Sequence, residues 1–168
     1  MDWKVGLVNR NVPFWRGYKT SQQTISFNTN TAVSTFVERE SGGGTWAYPT
    51  GASPNTYWQV PRTGLYLVAY EASANSTLPG AGQTLQIMMN IDKESAHGSN
   101  DEHYARTTKM LVSSANANPR VTGSTLLRLT TSNKLYLVMW HNIGGTVVIP
   151  HATVVSARID VTLQYVGE

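Results

Sequence analysis

Three observations predict an all-β protein: apolar residues alternating at period two, an almost complete lack of helical periodicity, and turn formers spaced at short intervals. Together they specify a two-sheet antiparallel sandwich of about ten strands. The alternation is clearest in Thr63-Gly64-Leu65-Tyr66-Leu67-Val68-Ala69-Tyr70 and in Leu135-Tyr136-Leu137-Val138-Met139-Trp140.

The elements follow in order. Trp3 to Asn9 reads as an opening strand. Thr24 to Phe27 continues into Ala32 to Glu38 across a turn at Asn28-Thr29-Asn30. Thr45 to Tyr48 and Tyr57 to Val60 flank a loop from Pro49 to Asn55. Gly64 to Ala72 is a central strand, followed by Gln83 to Ile91, Tyr104 to Ser113, Gly123 to Leu129, Leu135 to His141, Thr146 to Ile149 and Ala157 to Val166. The separators are physical turn formers. Leu78-Pro79-Gly80-Ala81-Gly82 supplies a fixed φ and then positive φ, and Pro119 cannot extend a ladder. Residues 1–22 read as an N-terminal arm with a short strand, and 23–168 as the sandwich domain. The stretch Val12-Pro13-Phe14-Trp15-Arg16-Gly17-Tyr18 is apolar and aromatic without clear alternation, so the arm is expected to pack on a neighbouring subunit or a larger assembly.

Faces can be assigned from the pleat. Ile159, Val161, Leu163 and Tyr165 share one side of the last strand, with Arg158, Asp160, Thr162 and Gln164 on the other, as in a sheet packed on one side. Two strands differ. Leu65, Leu67 and Ala69 oppose Tyr66, Val68 and Tyr70, and Leu135, Leu137 and Met139 oppose Tyr136, Val138 and Trp140, so both faces are apolar. Either something inside the monomer covers the second face or another subunit does; a large apolar patch left in water is rare for a monomer, which points to an oligomer. Phe14, Trp15, Tyr66, Tyr136, Trp140 and Tyr165 are the expected interface residues.

Composition excludes several classes. Charged residues are 14% of the chain, against a usual share of about 25%. The 13 basic and 10 acidic residues are scattered, without the basic stripe of a nucleic-acid binder. There is no cysteine, so disulfides and thiolate metal sites are excluded. No apolar run approaches the roughly 20 residues of a membrane span, and Met1-Asp2-Trp3-Lys4 shows no basic-then-apolar run, so no secretory signal is expected.

Chemistry is sparse. No Gly-x-Ser-x-Gly elbow precedes a helix, and His97, His103, His141 and His151 belong to no recognisable triad, so the chain reads as a non-enzyme without cofactors. The polar cluster containing Asp92, His97, Asp101 and His103 is a weak candidate for a divalent cation; its spacing fits no calcium loop, and a solvated turn explains it as well. Ser41-Gly42-Gly43-Gly44-Thr45 lacks the helix a phosphate cradle needs. Asn75-Ser76-Thr77 fits a glycosylation sequon without a secretion signal to support it. Trp46, Tyr48, Tyr57 and Trp58 sit at loop–strand junctions, where exposed rings contact glycans or partners.

The order of segments resembles the tumour necrosis factor and complement globular-head superfamily of jelly rolls. The resemblance is carried by Gln23-Thr24-Ile25-Ser26-Phe27-Asn28-Thr29, by Tyr57-Trp58-Gln59-Val60-Pro61-Arg62-Thr63-Gly64-Leu65-Tyr66-Leu67-Val68, by Leu85 to Asn90, by Lys134 to Trp140 and by Val154 to Val166. Members of that superfamily are usually trimers, and compact domains of the type occur on bacteriophage particles. The resemblance therefore implies a homotrimeric virion structural protein. The expected role is a tail-tip or fibre protein that attaches to the host surface, contacting other virion proteins and a host glycan. A capsid decoration protein and a bacterial carbohydrate-binding module are the alternatives. No nucleic-acid partner or membrane insertion is expected.

Overall fold

Trp15, Gly17 and Lys19 alternate with Phe14, Arg16 and Tyr18, and this period-two stretch forms the first strand, β1 (Phe14–Lys19), with Trp15 turned into the core. The computed structural model describes residues 11–50, 56–73, 83–92, 103–111, 120–144, 147–149 and 159–168. Along them β1 is followed by β2 (Gln23–Ile25), β3 (Thr31–Ala32), β4 (Phe36–Gly42), β5 (Trp58–Gln59), β6 (Gly64–Ser73), β7 (Gln83–Ile91), β8 (His103–Leu111), β9 (Arg120–Leu129), β10 (Lys134–His141), β11 (Val147–Ile149) and β12 (Asp160–Gly167). There is no helix among the described residues.

The first sheet has the order β4-β1-β12-β6-β9. The second runs β3-β10-β7-β8, with β5 also paired to β10, and β2 and β11 form a two-stranded ribbon. Every pairing is antiparallel. Neighbours such as β1–β12 and β6–β9 are distant in sequence, so the chain crosses repeatedly between two layers, as a jelly roll requires.

The core lies between the two sheets. Tyr66, Val68, Tyr70 and Ala72 of β6, Val161 and Leu163 of β12, and Leu127 and Leu129 of β9 face Leu85, Ile87 and Met89 of β7 and Leu135, Leu137 and Met139 of β10. One end is filled by aromatic rings. Trp15 contacts Phe36, Tyr48 and Trp58 at centroid distances of 6.4, 5.3 and 5.4 Å, mostly edge-on, the arrangement favoured by the ring quadrupole.

Four expectations change. The continuous strand from Ala32 to Glu38 is broken at Thr35, whose φ of 60° is left-handed. That conformation costs a β-branched residue about 1–3 kcal/mol, and it turns the chain out of the second sheet and into the first. Thr45 to Tyr48 is not a strand, and only an isolated bridge from Ala47 to Gln59 remains. The stretch expected as a packing arm is β1 from Phe14 onward, hydrogen-bonded between β4 and β12. The second face of β10 is covered by the chain itself: Tyr136 is 9% exposed, and Val138 and its cross-strand neighbour Met88 are 0%. The strand expected at Trp3 to Asn9 lies outside the described residues.

Candidate assembly face

β6 has one side in the core and the other on the surface. Leu65, Leu67, Ala69 and Glu71 alternate with its buried residues and stay half-buried on the outer face of the first sheet. Register extends this face sideways. Leu67 stands opposite Leu126 of β9 and Gln164 of β12, and Gln164 opposite Phe14 of β1. Ala69 stands between Ser124 and Thr162, and Glu71 between Thr122 and Asp160. The face thus has a largely apolar end, where exposed Arg128 stands opposite Leu65, and a polar end.

Leu126 is 56% exposed and Val166 47% exposed, so the apolar end leaves large side chains in water. Beside it the small side chains of Ala69, Ser124 and Thr162 leave an open dish of about 530 Å³, also lined by Glu71, Thr122 and Gly123. Gly123 is required there, because a Cβ would lie 2.5 Å from the Tyr70 ring. A dish beside a protruding leucine can dock a complementary surface, and its polar lining is Glu71, Thr122, Ser124 and Thr162.

The expected interface residues divide. Phe14 lies on this outer face, on β1 beside Gln164. Trp15 and Tyr66 are 0% exposed and point into the core, so they have no surface to offer a neighbour. Tyr66 donates from its hydroxyl to Arg62 O at 2.7 Å, and burial pushes its pKa up to about 12. Tyr165 packs edge-on against Tyr66 at 5.4 Å under the Arg62 guanidinium, which also pairs with Glu168. Tyr136 and Trp140 sit on the outside of the second sheet with Met88 and Val138. Alternation signalled two-sided strands but not which side is inner. Leu126 was missed because Leu127 beside it supplies the core residue, and only the register reveals Leu126 as a partner of Leu67.

The aromatic residues expected to meet a glycan or partner are consumed by the fold. Trp58 is 0% and Trp46 7% exposed. Trp46 donates from Nε1 to Gly42 O at 3.2 Å and stacks edge-on to Tyr66. Gly43, with φ 69°, allows this fold-back; a Cβ there would meet the Pro13 nitrogen at 2.3 Å. Tyr48 is half-buried against Trp15, and half-buried Tyr57 packs on Tyr136 with the Lys134 ammonium 4.7 Å from its ring centroid.

Asp92, the described carboxylate of the cation candidate, is a turn clamp. Its Oδ2 accepts from Asn133 Nδ2 and its Oδ1 from Lys134 N, both at 2.7 Å, at a left-handed φ of 57°. His97 and Asp101 lie outside the described residues, and His103 is placed on β8 opposite Asn90. Among the described residues no three metal-ligating side chains gather. Asp92→Ala is expected to cost about 1–2 kcal/mol, from two lost hydrogen bonds to a carboxylate and the φ that alanine tolerates less well. Equilibrium urea denaturation reads that loss.

Two other groups bear on catalysis. His141 is fully buried; its Nδ1 accepts from Ile143 N, so Nε2 carries the hydrogen and donates to Ile25 O at 2.9 Å. Both nitrogens are spent on backbone. Lys19 lies 2.8 Å from Thr35 Oγ1, which also contacts Ser21 Oγ, but the surface dish lies on other residues.

No protein-family model matches the sequence, and no curated protein does. Solved structures do. The chain is similar to murine APRIL (TM-score 0.62, 8% identity, covering 92% of this chain and 99% of that one). It is similar to the Eiger TNF of S. frugiperda (TM-score 0.60, 13% identity, 94% of each chain). The globular domain of the zebrafish complement 1qA protein also matches (TM-score 0.56, 10% identity, 89% and 94%). The fold is the all-β jelly-roll sandwich of tumour necrosis factor and complement heads. At these identities the likeness is one of architecture.

Proposed function

We propose that this chain is a non-enzymatic structural protein of a virion surface that assembles as a homotrimer through the outer face of the first sheet. The observation that carries the reading is the apolar end of that face, where Leu65, Leu67, Leu126 and Val166 meet water on adjacent strands. A second copy is the occupant that a trimer-forming superfamily suggests for it. The particle setting is supported by the surface chemistry: with charged residues at 14%, Thr, Ser, Asn and Gly dominate what is left for the exterior.

Two placements follow. A capsid decoration protein needs one broad docking face and little else. A tail-tip or fibre protein that attaches to the host needs exposed binding groups as well. Attachment, and equally a carbohydrate-binding module, was expected to rest on Trp46, Tyr48, Tyr57 and Trp58; burial of Trp46 and Trp58 and half-burial of Tyr48 and Tyr57 weaken that support. Decoration is therefore the better supported placement, with attachment as the alternative.

Mass in solution tests the assembly. Light scattering on the purified protein is expected to give three times the chain mass of 18.4 kDa. A monomer at micromolar concentration overturns the proposal. Binding of that trimer to purified capsid shells, and not to bacterial cells or a glycan array, is the expected outcome for decoration; the reverse assigns attachment.

A further inference from the structure

Lys19 is the largest charged side chain with no exposed surface among the described residues. It ends β1 on the core side, and its ammonium donates to Ser34 O at 2.5 Å and to Thr35 Oγ1 at 2.8 Å. Both acceptors lie in the crossing from β3 to β4, the segment that carries the chain from one sheet to the other. That crossing is held on several sides. Thr20 donates from its backbone and its hydroxyl to Thr35 O, Gln23 grips Ala32 O and Ser34 N, and Phe36 N bonds Pro49 O. The point so held is Thr35, in its left-handed conformation.

Among the described residues the charged groups around Lys19 give it no counter-ion. On β4, Glu38 accepts from Ser41 Oγ, and Glu40 is exposed opposite Arg16. On β12, Asp160 stands opposite Tyr18, on the other side of the pleat. On β1, Arg16 and Tyr18 alternate with Lys19 and face outward. β2 contributes Gln23, and the segment at Ser34 and Thr35 contributes only hydroxyl and carbonyl groups. Fixed dipoles compensate a buried cation poorly, and burial pushes the Lys19 pKa down from 10.5 to about 8.

We propose that Lys19 makes the β3–β4 crossing a proton-controlled hinge, which opens more readily while the amine is protonated and tightens as the proton leaves. The sign follows from linkage. The closed crossing disfavours the charged amine, and the opened one restores its ordinary affinity for a proton. Below about pH 8 both forms are protonated and the closed form bears the full cost of the buried charge. Between about 8 and 10.5 the closed form sheds the proton first, so closure strengthens with rising pH. The inference does not depend on assembly; it identifies the part of the fold that yields first near neutral pH.

Site-resolved amide hydrogen exchange tests it. After correction for intrinsic rates, protection at Thr20 and Phe36 is expected to rise roughly twentyfold from about pH 7 to about pH 9.5. Protection along the β6–β12 pairing should stay level over that range. Lys19→Met should flatten the rise at Thr20 and Phe36 and hold them well protected at both pH values. An equal slope in Lys19→Met, or none in the unmodified protein, overturns the hinge. A direct titration of the Lys19 side chain by NMR in the unmodified protein decides the matter even where the variant fails to fold: a midpoint near 8 is expected, and one near 10.5 overturns the proposal.

Discussion

Trp15→Ala is expected to remove about 3–5 kcal/mol of stability, a large part of the roughly 5–15 kcal/mol that holds a domain folded. Trp15 is 0% exposed, and its ring touches Phe36, Tyr48 and Trp58. These rings come from β1, β4, the loop before β5 and β5 itself, so the cavity would lie where four segments meet. Collapse into it is resisted by Gly17. That residue has no side chain to move in, and its backbone is pressed so closely against the Trp15 ring and Val37 O that a Cβ would lie 2.4 Å from each. Trp15→Phe should be far milder. Among the described residues the buried indole Nε1 has no hydrogen-bond partner, so phenylalanine loses ring area but also removes an unmet donor. The midpoints of urea unfolding order the three proteins. A loss below about 1 kcal/mol for alanine would mean that the site closes freely, contrary to this packing.

The same residue marks where sequence reasoning stops. Trp15 reads as an arm because Val12-Pro13-Phe14 precedes it without alternation, yet four residues of alternation after it suffice for a strand once β4 and β12 lie on either side. Strand pairing is a non-local property, and a six-residue edge of the pattern cannot display it. β12 was legible because Val161 and Leu163 alternate with Thr162 and Gln164, so polarity alone orients the strand. β6 was legible as two-sided but not as to which side is inner. Tyr66 looks like an interface residue by type, but the core between these sheets is wide enough to hold Tyr66 and Tyr70, while the smaller Leu65, Leu67 and Ala69 face out. Trp46 and Trp58 were assigned to the surface for the same reason: ring size gives no direction. The Thr35 break and the buried Lys19 left no mark in the pattern, because both are set by what packs against them.

Leu126→Glu is expected to reduce the assembled protein to monomers. Leu126 is 56% exposed on a strand whose buried positions are Val121, Leu127 and Leu129, so the isolated chain should lose no more than about 0.5 kcal/mol of stability. In the assembly three equivalent carboxylates would enter apolar contacts around one axis. Stripping water from an unpaired carboxylate costs several kcal/mol for each ion, more than such an edge contact returns. Leu126→Ala should weaken association without abolishing it, because the Ala69–Ser124–Thr162 dish and Leu67 persist. Thr24→Glu, an exposed position on the β2–β11 ribbon, should leave the mass unchanged. Sedimentation at several concentrations separates these outcomes. If Leu126→Glu stays trimeric while Thr24→Glu dissociates, the contact lies on the opposite side of the sandwich, and the outer face of the first sheet must be given to another partner.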